Sequence, residues 1–279
     1  MKIAILITCY NRVDKTKKCL EQCFKSVLSI KNYIHDFYLL DDDSPDKTGE
    51  IIKRLYPEIN VSYGNGNFYW SKGTRKVWDI ASKKNDYDYY IWLNDDVILR
   101  QNAFSIAYQD LSENPQSILV GTFKAKNKSK EIITYGGRNK KFELVTPNGK
   151  PQKCIFINGN FVIVPRVVFK KIGLINKFFT HNYGDTDYGL RALKNGFKIF
   201  ISSSVLGICD KNKIETWKDP KASFSSRIKS FVSSKNFRIL EVVYFQYCHF
   251  GILKLIKHLF GVFITIISPK TYSRLVKIK

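Results

Sequence analysis

The sequence predicts an α/β fold in which a parallel sheet is covered by helices. Strand and helix patterns alternate through the first hundred residues, an order that places successive strands parallel and helices on the sheet faces. Polar clusters follow the strand patterns at residues 8–12, 41–44, 64–67 and 94–96. Ligands of such sheets bind beyond the carboxyl ends of the strands, so these four clusters are expected to line one crevice. At 279 residues and 44% hydrophobic, the chain can bury a full core.

The elements of the first hundred residues follow one another without long linkers. Strands are predicted at KIAILIT (2–8), DFYLLD (36–41), INVSYG (59–64) and YDYYIWL (87–93), and helices at 14–29, 46–56 and from about Ser71. The opening apolar run is too short for a signal peptide and is interpreted as a buried first strand.

Residues 117–215 show a more mixed pattern. Strands are predicted at SILVG (117–121), EIITYG (131–136), CIFING (154–159), NFVIV (160–164) and FKIFIS (197–202), and helices near 166–172 and 185–195. Residues 137–153, rich in Lys, Asn, Gly and Pro, are interpreted as a loop or loose hairpin that could serve as an acceptor-side flap. We predict one domain over 1–215, with halves at about 1–100 and 101–215, and a basic amphipathic helical tail over 216–279.

Positive charge is concentrated in the tail. The net charge is +22, and residues 211–279 hold 14 Lys/Arg against 3 Asp/Glu, half of the excess. An anionic partner is expected, namely a membrane surface, nucleic acid or an acidic lipid-linked substrate, although a lysine-rich proteome alone gives the same bias. From Arg238 onward, apolar residues alternate with Lys254, Lys257, Lys270, Arg274, Lys277 and Lys279. This composition suits a helix in the membrane interface and equally a helix packed on the domain or in a dimer; no window is long enough to span a bilayer.

The six cysteines form no CxxC pair and no zinc-like cluster with histidine. A disulfide framework is therefore not expected, and the composition favours a reducing cytoplasm. Cys19 and Cys23 share one face of a predicted helix and are interpreted as small core residues.

The segment YIWLNDDVILR (90–100) carries the strongest chemical indication. Its apolar run is interrupted by Asn94, Asp95 and Asp96 at a strand end. Adjacent carboxylates repel one another unless a cation lies between them, and oxygen ligands suit Mg²⁺ or Mn²⁺. We therefore predict a metal ion that holds a diphosphate.

The other strand ends carry weaker indications. In TCYNR, Thr8, Tyr10 and Arg12 could face a nucleotide or cap a helix. Asp41 is the candidate for a carboxylate that accepts from a pyrimidine imide, whereas Ser44 and Asp46 also suit turns and caps.

The segment GNGNFYWSKG (64–73) contributes Asn67 and Trp70 either to donor binding or to core packing. It lacks the glycine spacing of dinucleotide-binding and phosphate-binding loops, which disfavours hydride transfer and NTP hydrolysis.

A second acidic cluster precedes a predicted helix at Asp185 and Asp187. These carboxylates could stabilise the helix N-terminus, and Arg191 could pair with Asp187. Beside a metal-diphosphate site, a carboxylate could instead deprotonate an acceptor hydroxyl, the role predicted for Asp185.

Taken in order, TCYNR, DDDSPDKT, LNDDV, NGNFVIVP and YGDTDYGLR resemble a family 2 glycosyltransferase with a GT-A fold, of the bacterial type that builds surface polysaccharides. The resemblance covers about residues 1–210. It implies inverting transfer from a nucleoside diphosphate sugar, with Mn²⁺ or Mg²⁺ neutralising the leaving diphosphate and a carboxylate deprotonating the acceptor.

Residue by residue, the resemblance assigns roles to the motif positions. Donor binding falls to Thr8, Tyr10, Arg12, Asp41, Asn94 and Asp95; metal binding to Asp96 with Asp95; and the base role to Asp185. Beyond these motif positions, we add Asn67 and Trp70 as donor-side candidates and Asn158, Gly159, Asn160, His181 and Asp187 as acceptor-side candidates. Three positions depart from the family pattern. Asn94 replaces the first acid of the DxD motif, Gly184 replaces the glutamate before Asp185, and Cys209 with Asp210 stands where many relatives have a histidine ligand. Asp210 is a substitute oxygen ligand or a surface aspartate.

The expected function is metal-dependent transfer of a hexosyl or deoxyhexosyl group, for example rhamnosyl, from a UDP- or dTDP-sugar. The acceptor would be a glycan or polyprenyl-linked glycan of capsule, O-antigen or cell wall, at the inner face of the cell membrane, with no nucleic acid partner. Two alternatives are a nucleotidyltransferase and a non-catalytic basic protein that binds membrane or nucleic acid on a degenerate GT-A domain. The sequence contains no recognisable triphosphate-binding loop, which a nucleotidyltransferase usually needs. A non-catalytic binding role would leave both acidic clusters unexplained.

Overall fold

The computed structural model describes residues 1–28, 30, 32–126, 132–212, 214–232 and 238–271. The chain divides into two compact units, Met1–Lys211 and Asn212–Lys279. The predicted boundary after residue 215 lies four residues beyond this division. Ser29 and Glu131, which were included in predicted elements, and Arg274, Lys277 and Lys279 of the tail lie outside the described residues.

The first unit alternates strands and helices. Its strands are β1 (Lys2–Cys9), β2 (Ile34–Asp41), β3 (Asn60–Tyr63), β4 (Tyr89–Asn94), β5 (Ile98–Leu99), β6 (Ile118–Lys124), β7 (Ile133–Tyr135), β8 (Gln152–Lys153), β9 (Phe161–Pro165) and β10 (Ile199–Ile208). Its helices are α1 (Val13–Leu28), α2 (Thr48–Leu55), α3 (Tyr69–Lys84), α4 (Ala103–Glu113), α5 (Arg166–Ile172) and α6 (Gly184–Lys194). One carboxylate helps to start two helices, because Asp46 accepts the backbone N–H groups of Val13 and Thr48 at 3.0 and 3.1 Å.

Within the described residues, the strands form one sheet whose main path is β3-β2-β1-β4-β9-β6-β10-β5, with β7 beside β6 and β8 beside β10. The strands β3, β2, β1 and β4 pair in parallel, which confirms the prediction for the first hundred residues. Beyond them the sheet is mixed, because β9 runs antiparallel to both β4 and β6. The predicted α/β class is therefore correct.

The two sheet faces carry separate cores. One packs α1, α2 and α4 against the sheet and contains Cys19 and Cys23, which are fully buried as core residues. The other packs α3, α5 and α6 and is dominated by aromatic rings, with the Trp78 and Trp92 centroids 5.4 Å apart. Burial of each large side chain contributes about 1.5–3 kcal/mol, so the sheet and its edges are firmly held.

Three local predictions differ from the structure. The segment CIFING is not a strand, because residues 157–160 turn between Phe156 and β9. Helix α4 was not predicted, although Phe104, Ala107, Tyr108 and Leu111 have helical spacing and are buried. The third difference is partial: the hairpin predicted within 137–153 is present, with Arg138 bridged antiparallel to Leu144, but it is anchored, because Arg138 also bridges Phe156 and β8 pairs with β10.

The second unit is helical in its described part. It contains a short 3₁₀ turn (Thr216–Lys218) and the helices α7 (Phe224–Val232), α8 (Ile239–Phe250) and α9 (Ile252–Ile267). This confirms a C-terminal helical extension. Among the described residues, none of the helices combines the length and the apolar character needed to cross a membrane.

Candidate active site

The carboxyl ends of the parallel strands meet at one edge of the sheet. Cys9 of β1 lies opposite Asp41 of β2, and Asp41 lies opposite Tyr63 of β3. On the other side, Thr8 of β1 lies opposite Asn94 of β4. The sequence-predicted polar clusters are therefore neighbours, as the alternation of strands and helices required.

A guanidinium, supplied by the chain itself, lies between the two adjacent carboxylates that follow β4. Arg12 Nε lies 3.1 Å from Asp95 Oδ2, and Arg12 Nη1 lies 3.1 Å from Asp96 Oδ2. Thr16 Oγ1, one turn into α1, also donates to Asp95 Oδ2 at 2.9 Å. Burial raises the pKa of Asp95 to about 7; Arg12 opposes this rise and Asp96 adds to it. Arg12 thus places a cation between these carboxylates, and the metal ion that the sequence predicts there stays a prediction.

Asp96 differs from Asp95 in having an unused oxygen. Its Oδ1 atom is buried and has no hydrogen-bond partner within the part of the chain that the structure describes. Cys209, at the end of β10, lies near enough to Asp96 for that charge to add to the effect of burial, and together they raise the pKa of the Cys209 thiol to about 12. The thiol therefore stays protonated, and the end of β10 reaches the same region as the acidic pair.

Asn94 uses its amide to join three elements. Its Oδ1 accepts the indole N–H of Trp70 at 2.6 Å, and its Nδ2 donates to Asn160 Oδ1 at 2.7 Å. The indole also packs so closely on Gly159 that a Cβ there would overlap it. A carboxylate at position 94 could not donate to Asn160, which gives a physical reason for asparagine at the first DxD position. Trp70 is likewise part of the framework of the site.

The turn of residues 158–160 connects this network to Asp185. Asp185 Oδ2 accepts the Gly159 N–H at 2.8 Å, and Oδ1 accepts the Thr186 N–H at 2.7 Å. Burial raises the pKa of Asp185, and the hydrogen bonds from Thr186 and Gly159 partly offset that rise. Asp185 is a half-buried, oriented carboxylate with increased basicity, at the start of α6.

The segment before α6 is bound to the start of α3. Ser71 Oγ donates to the backbone oxygen of His181 at 2.7 Å, and His181 Nδ1 accepts the Trp70 N–H at 3.4 Å. A Cβ at Gly184 would lie 2.7 Å from the Cβ of Ser71. This close approach explains the absence of the family's glutamate at position 184.

The structure corrects the role predicted for Asp41. Its side chain is 2% exposed, Oδ2 accepts the Gly49 N–H at 2.7 Å, and Oδ1 accepts from Ser44. The carboxylate is buried where it stabilises the start of α2, so it is not placed to read a base.

Asp42, which the sequence did not single out, organises the neighbouring loop. It accepts the N–H groups of Gly66, Phe68 and Tyr69 at 2.8–3.0 Å. The loop of residues 64–69 owes its position at the strand end to this side chain.

Asp187 is also corrected, from the acceptor side to the framework. Its carboxylate is buried and bonds Arg191 Nε at 2.8 Å, and Arg191 donates in turn to the backbone of Ile172 and Leu174. The purely structural interpretation of Asp187 is therefore the one that the contacts support.

The remaining candidates lie at the strand ends or in the loops. Tyr10 is 46% exposed after β1, and Thr8 packs against Gly73 of α3. Asn67 is exposed and bonds Asn65 within its loop.

Asn158 accepts the Asn160 N–H at 3.3 Å. Asp210 is exposed and accepts the Lys126 N–H at 2.8 Å.

The acidic pair has the chemistry that a divalent cation requires. Carboxylate oxygens suit Mg²⁺ and Mn²⁺, and Asp96 Oδ1 is a buried acceptor with unused capacity. No set of three or more His, Cys, Asp or Glu side chains suited to a metal occurs in the described ranges. These residues fit an ion that takes further oxygen ligands from a diphosphate rather than an ion enclosed by protein.

Comparison with known proteins identifies the family and the fold. The model of the family described as glycosyl transferase family 2 matches residues 4–173, a range that ends before Asp185. The poly-beta-1,6-N-acetyl-D-glucosamine synthase of Staphylococcus aureus (strain MSSA476) is 25% identical over 128 residues, 46% of this chain and 30% of the relative. Protein CgeD of Bacillus subtilis (strain 168) is 25% identical over 122 residues, 42% of this chain and 28% of the relative. The matches thus span less than a third of each relative's length.

Solved structures share the fold. TarS 1-349 of S. aureus in complex with UDP superimposes with a TM-score of 0.54 at 13% identity, covering 90% of this chain and 72% of that chain. The same protein in complex with UDP-GlcNAc gives a TM-score of 0.54 at 14% identity, covering 90% and 73%. The fold is GT-A, as the sequence predicted. Because the family model also spans more than half of the sequence, this chain belongs to glycosyl transferase family 2.

Proposed function

We propose that the chain is an inverting glycosyltransferase that moves a sugar from a nucleoside diphosphate donor to a hydroxyl of a glycan acceptor. The supporting observation is the continuous set of contacts that runs from Asp185 through Gly159, Asn160 and Asn94 to the acidic pair beside Arg12. A base for the acceptor and charged groups for the leaving diphosphate are thereby held in one rigid frame.

Asp185 supplies the base in this proposal. Its two oxygens are fixed by the N–H groups of Gly159 and Thr186, which orient the carboxylate. Burial raises its pKa, which strengthens it as an acceptor of the hydroxyl proton. Attack by that hydroxyl on the anomeric carbon breaks the bond to the diphosphate in the same displacement, and a single displacement inverts the configuration.

In this proposal, cations at the acidic pair neutralise the negative charge of the leaving diphosphate. Asp96, with Asp95, would hold Mn²⁺ or Mg²⁺, which when bound neutralises the diphosphate. Arg12 adds a guanidinium whose planar donors match phosphate oxygens.

A uridine diphosphate sugar is the first donor to test. The TarS complexes contain UDP and UDP-GlcNAc, and the synthase relatives are named for poly-N-acetylglucosamine. UDP-GlcNAc therefore heads the donor panel. The rhamnosyl prediction from the sequence is represented in the same panel by dTDP-rhamnose.

The proposed acceptor is a glycan or polyprenyl-linked glycan of a surface polysaccharide, met at the inner face of the cell membrane. Support comes from α9, whose side chains at the spacing of one helix face are apolar and exposed: Leu253, Ile256, Phe260, Phe263 and Ile267. The exposed Lys254 and Lys257 suit the anionic headgroups beside such a face.

The test is transfer from UDP-GlcNAc and the other donors to a panel of glycan acceptors, with wild type, Asp185→Asn and Asp187→Asn. We expect Asp185→Asn to lower transfer by about 10²–10⁴-fold with the fold intact, the range for loss of a general base. Asp187→Asn is the matched control, since it changes an acid two residues away that the structure assigns to the framework. It should keep transfer while lowering stability by about 1–3 kcal/mol.

Full activity of Asp185→Asn would contradict the proposal. The product also separates enzyme classes, because a nucleotidyltransferase would release pyrophosphate where a glycosyltransferase releases a nucleoside diphosphate.

A further inference from the structure

The feature that the proposed reaction leaves unexplained is the position of Arg12. A residue that is to meet a diphosphate instead bonds both carboxylates of the acidic pair, at 3.1 Å each. The same two carboxylates are those that would hold a divalent cation. Arg12 and a divalent cation would thus bind the same two carboxylates, those of Asp95 and Asp96.

The backbone around Arg12 fixes this arrangement. Asn11 has a left-handed backbone (φ 52°) and bonds Ser44 Oγ through its N–H at 2.9 Å, which brings Arg12 to the start of α1. The Arg12 carbonyl then accepts the Thr16 N–H at 3.1 Å, and Thr16 Oγ1 also bonds Asp95. Asp95 is held by two residues of the same turn, whereas Asp96 is bonded, within the described part of the chain, by Arg12 alone.

Asp95 and Asp96 therefore differ in how easily they can be released. Asp95 is buried and keeps the Thr16 hydroxyl if the guanidinium moves. Asp96 has a side chain that is 25% exposed, an Oδ1 atom without a hydrogen-bond partner among the described residues, and its other oxygen bonded to Arg12. Arg12 is 39% exposed, so its guanidinium can move without leaving a buried cavity. The Arg12–Asp96 bond is the exchangeable one.

We propose that Arg12 is an internal competitor of the divalent cation for Asp96, and that the diphosphate of the donor draws its guanidinium away from the acidic pair. This inference rests on the proposed donor chemistry. Arg12 would weaken the binding of the ion when no nucleotide is present, and the diphosphate would remove that competition. Such coupling is reciprocal, so ion and nucleotide should each strengthen the binding of the other.

The experiment measures Mn²⁺ binding to the full chain by calorimetry, with and without UDP, for wild type, Arg12→Gln, Arg12→Lys and Lys15→Gln. Without UDP, Arg12→Gln should bind Mn²⁺ at least about tenfold more tightly than wild type, within the usual range of coupling between sites. UDP should strengthen Mn²⁺ binding in wild type by a larger factor than in Arg12→Gln. Arg12→Lys, which keeps the charge but loses the bidentate fork, should fall between them.

Lys15→Gln is the matched control for charge. Lys15 lies in the first turn of α1, which begins just after Arg12, and it is near enough to Cys209 to lower its thiol pKa. It forms no ion pair with Asp95 or Asp96 among the described contacts. Its loss removes the same charge from the same region, and Mn²⁺ affinity should change by less than about threefold because an exposed charge in water acts weakly.

Mn²⁺ affinity that is unchanged or weaker in Arg12→Gln, or equally raised in Lys15→Gln, would overturn the inference, as would Mn²⁺ binding to none of the proteins. If Arg12→Gln did not fold, an Arg12→Lys affinity equal to that of wild type without UDP would overturn it too. Failure of this inference can be distinguished from failure of the proposed function. If Arg12→Gln leaves Mn²⁺ affinity unchanged while transfer is intact and depends on Asp185, only the competition between Arg12 and the ion is refuted. Full transfer by Asp185→Asn would remove the proposed reaction instead.

Discussion

Two pairs of adjacent aspartates stand at the carboxyl ends of β2 and β4, the parallel strands on either side of β1, and the protein uses them differently. Asp41 and Asp42, after β2, accept backbone N–H groups from Gly49 and from residues 66, 68 and 69. Asp95 and Asp96, after β4, are held by the side chains of Arg12 and Thr16, and Asp96 has one oxygen without a partner in the described structure.

The difference shows which pair is available for chemistry. Asp41 and Asp42 are buried and also bonded to fixed backbone N–H groups, so they act as parts of the framework. Asp185 also accepts backbone N–H groups, but it is only half-buried. A guanidinium on a partly exposed side chain can be exchanged for another cation. The pair after β2 therefore builds the edge of the crevice, and the pair after β4 is the one that can meet a ligand.

Among substitutions in these two pairs, Asp96→Asn should have the largest effect on transfer. Transfer should fall by at least about 10²-fold because the substitution removes a charged oxygen from the cation-binding pair. The free energy of unfolding in urea should change by less than about 1 kcal/mol. One oxygen of Asp96 has no partner in the described part of the chain, and the other makes a partly exposed ion pair. If Asp96→Asn kept transfer but lost much stability, Asp95 and Asp96 would belong to the framework, and they would not differ from Asp41 and Asp42.

The opposite result is expected for Asp42→Asn. An amide of the same shape places an NH₂ group where N–H groups now donate, so the free energy of unfolding should fall by about 2–4 kcal/mol. Urea unfolding measures this change.

Asp43→Asn is the control for that substitution, because Asp43 is adjacent, exposed and in a left-handed conformation that asparagine tolerates. It should stay within about 0.5 kcal/mol of wild type. Equal stability of the Asp42 and Asp43 variants would show that the carboxylate of Asp42 does not organise the loop.

A smaller effect is expected in the pH profile of transfer. Because the pKa of Asp185 is raised above its ordinary value, the base is protonated, and transfer is lost, at a higher pH than for an exposed aspartate. Thr186→Val removes a hydroxyl that lowers this pKa, so the acidic limb of kcat/KM should move to higher pH still. Thr186→Ser keeps the hydroxyl and should leave the limb in place. If the acidic limb did not move in Thr186→Val, the limb would not report the protonation of Asp185.

The sequence predicted most of the framework because it is encoded locally. Apolar runs such as KIAILIT are buried strands, and the polar residues that follow them lie at one edge because parallel strands end together. The helical spacing of Phe104, Ala107, Tyr108 and Leu111 was equally readable but was missed. CIFING failed because its apolar pattern ends in Asn158 and Gly159, which form a turn.

The division of labour among the acids could not be predicted in the same way. LLDDDS and LNDDV look alike, and their roles depend on partners distant in sequence: Arg12 lies 84 residues before Asp96, and Asp42 lies 26 before Phe68. The sequence is compatible with an acceptor-side role and with a framework role for Asp187, and the bond to Arg191 Nε at 2.8 Å distinguishes them.

The central claim is that the pair after β4, and not the pair after β2, serves a nucleoside diphosphate. The most direct measurement is thermal stabilisation by UDP with Mn²⁺, in wild type and in Asp96→Asn. At about 100 times its dissociation constant, UDP should stabilise wild type by about 2.7 kcal/mol, and most of this gain should disappear in the variant. No stabilisation of wild type by UDP or dTDP, or equal stabilisation of both proteins, would contradict the account.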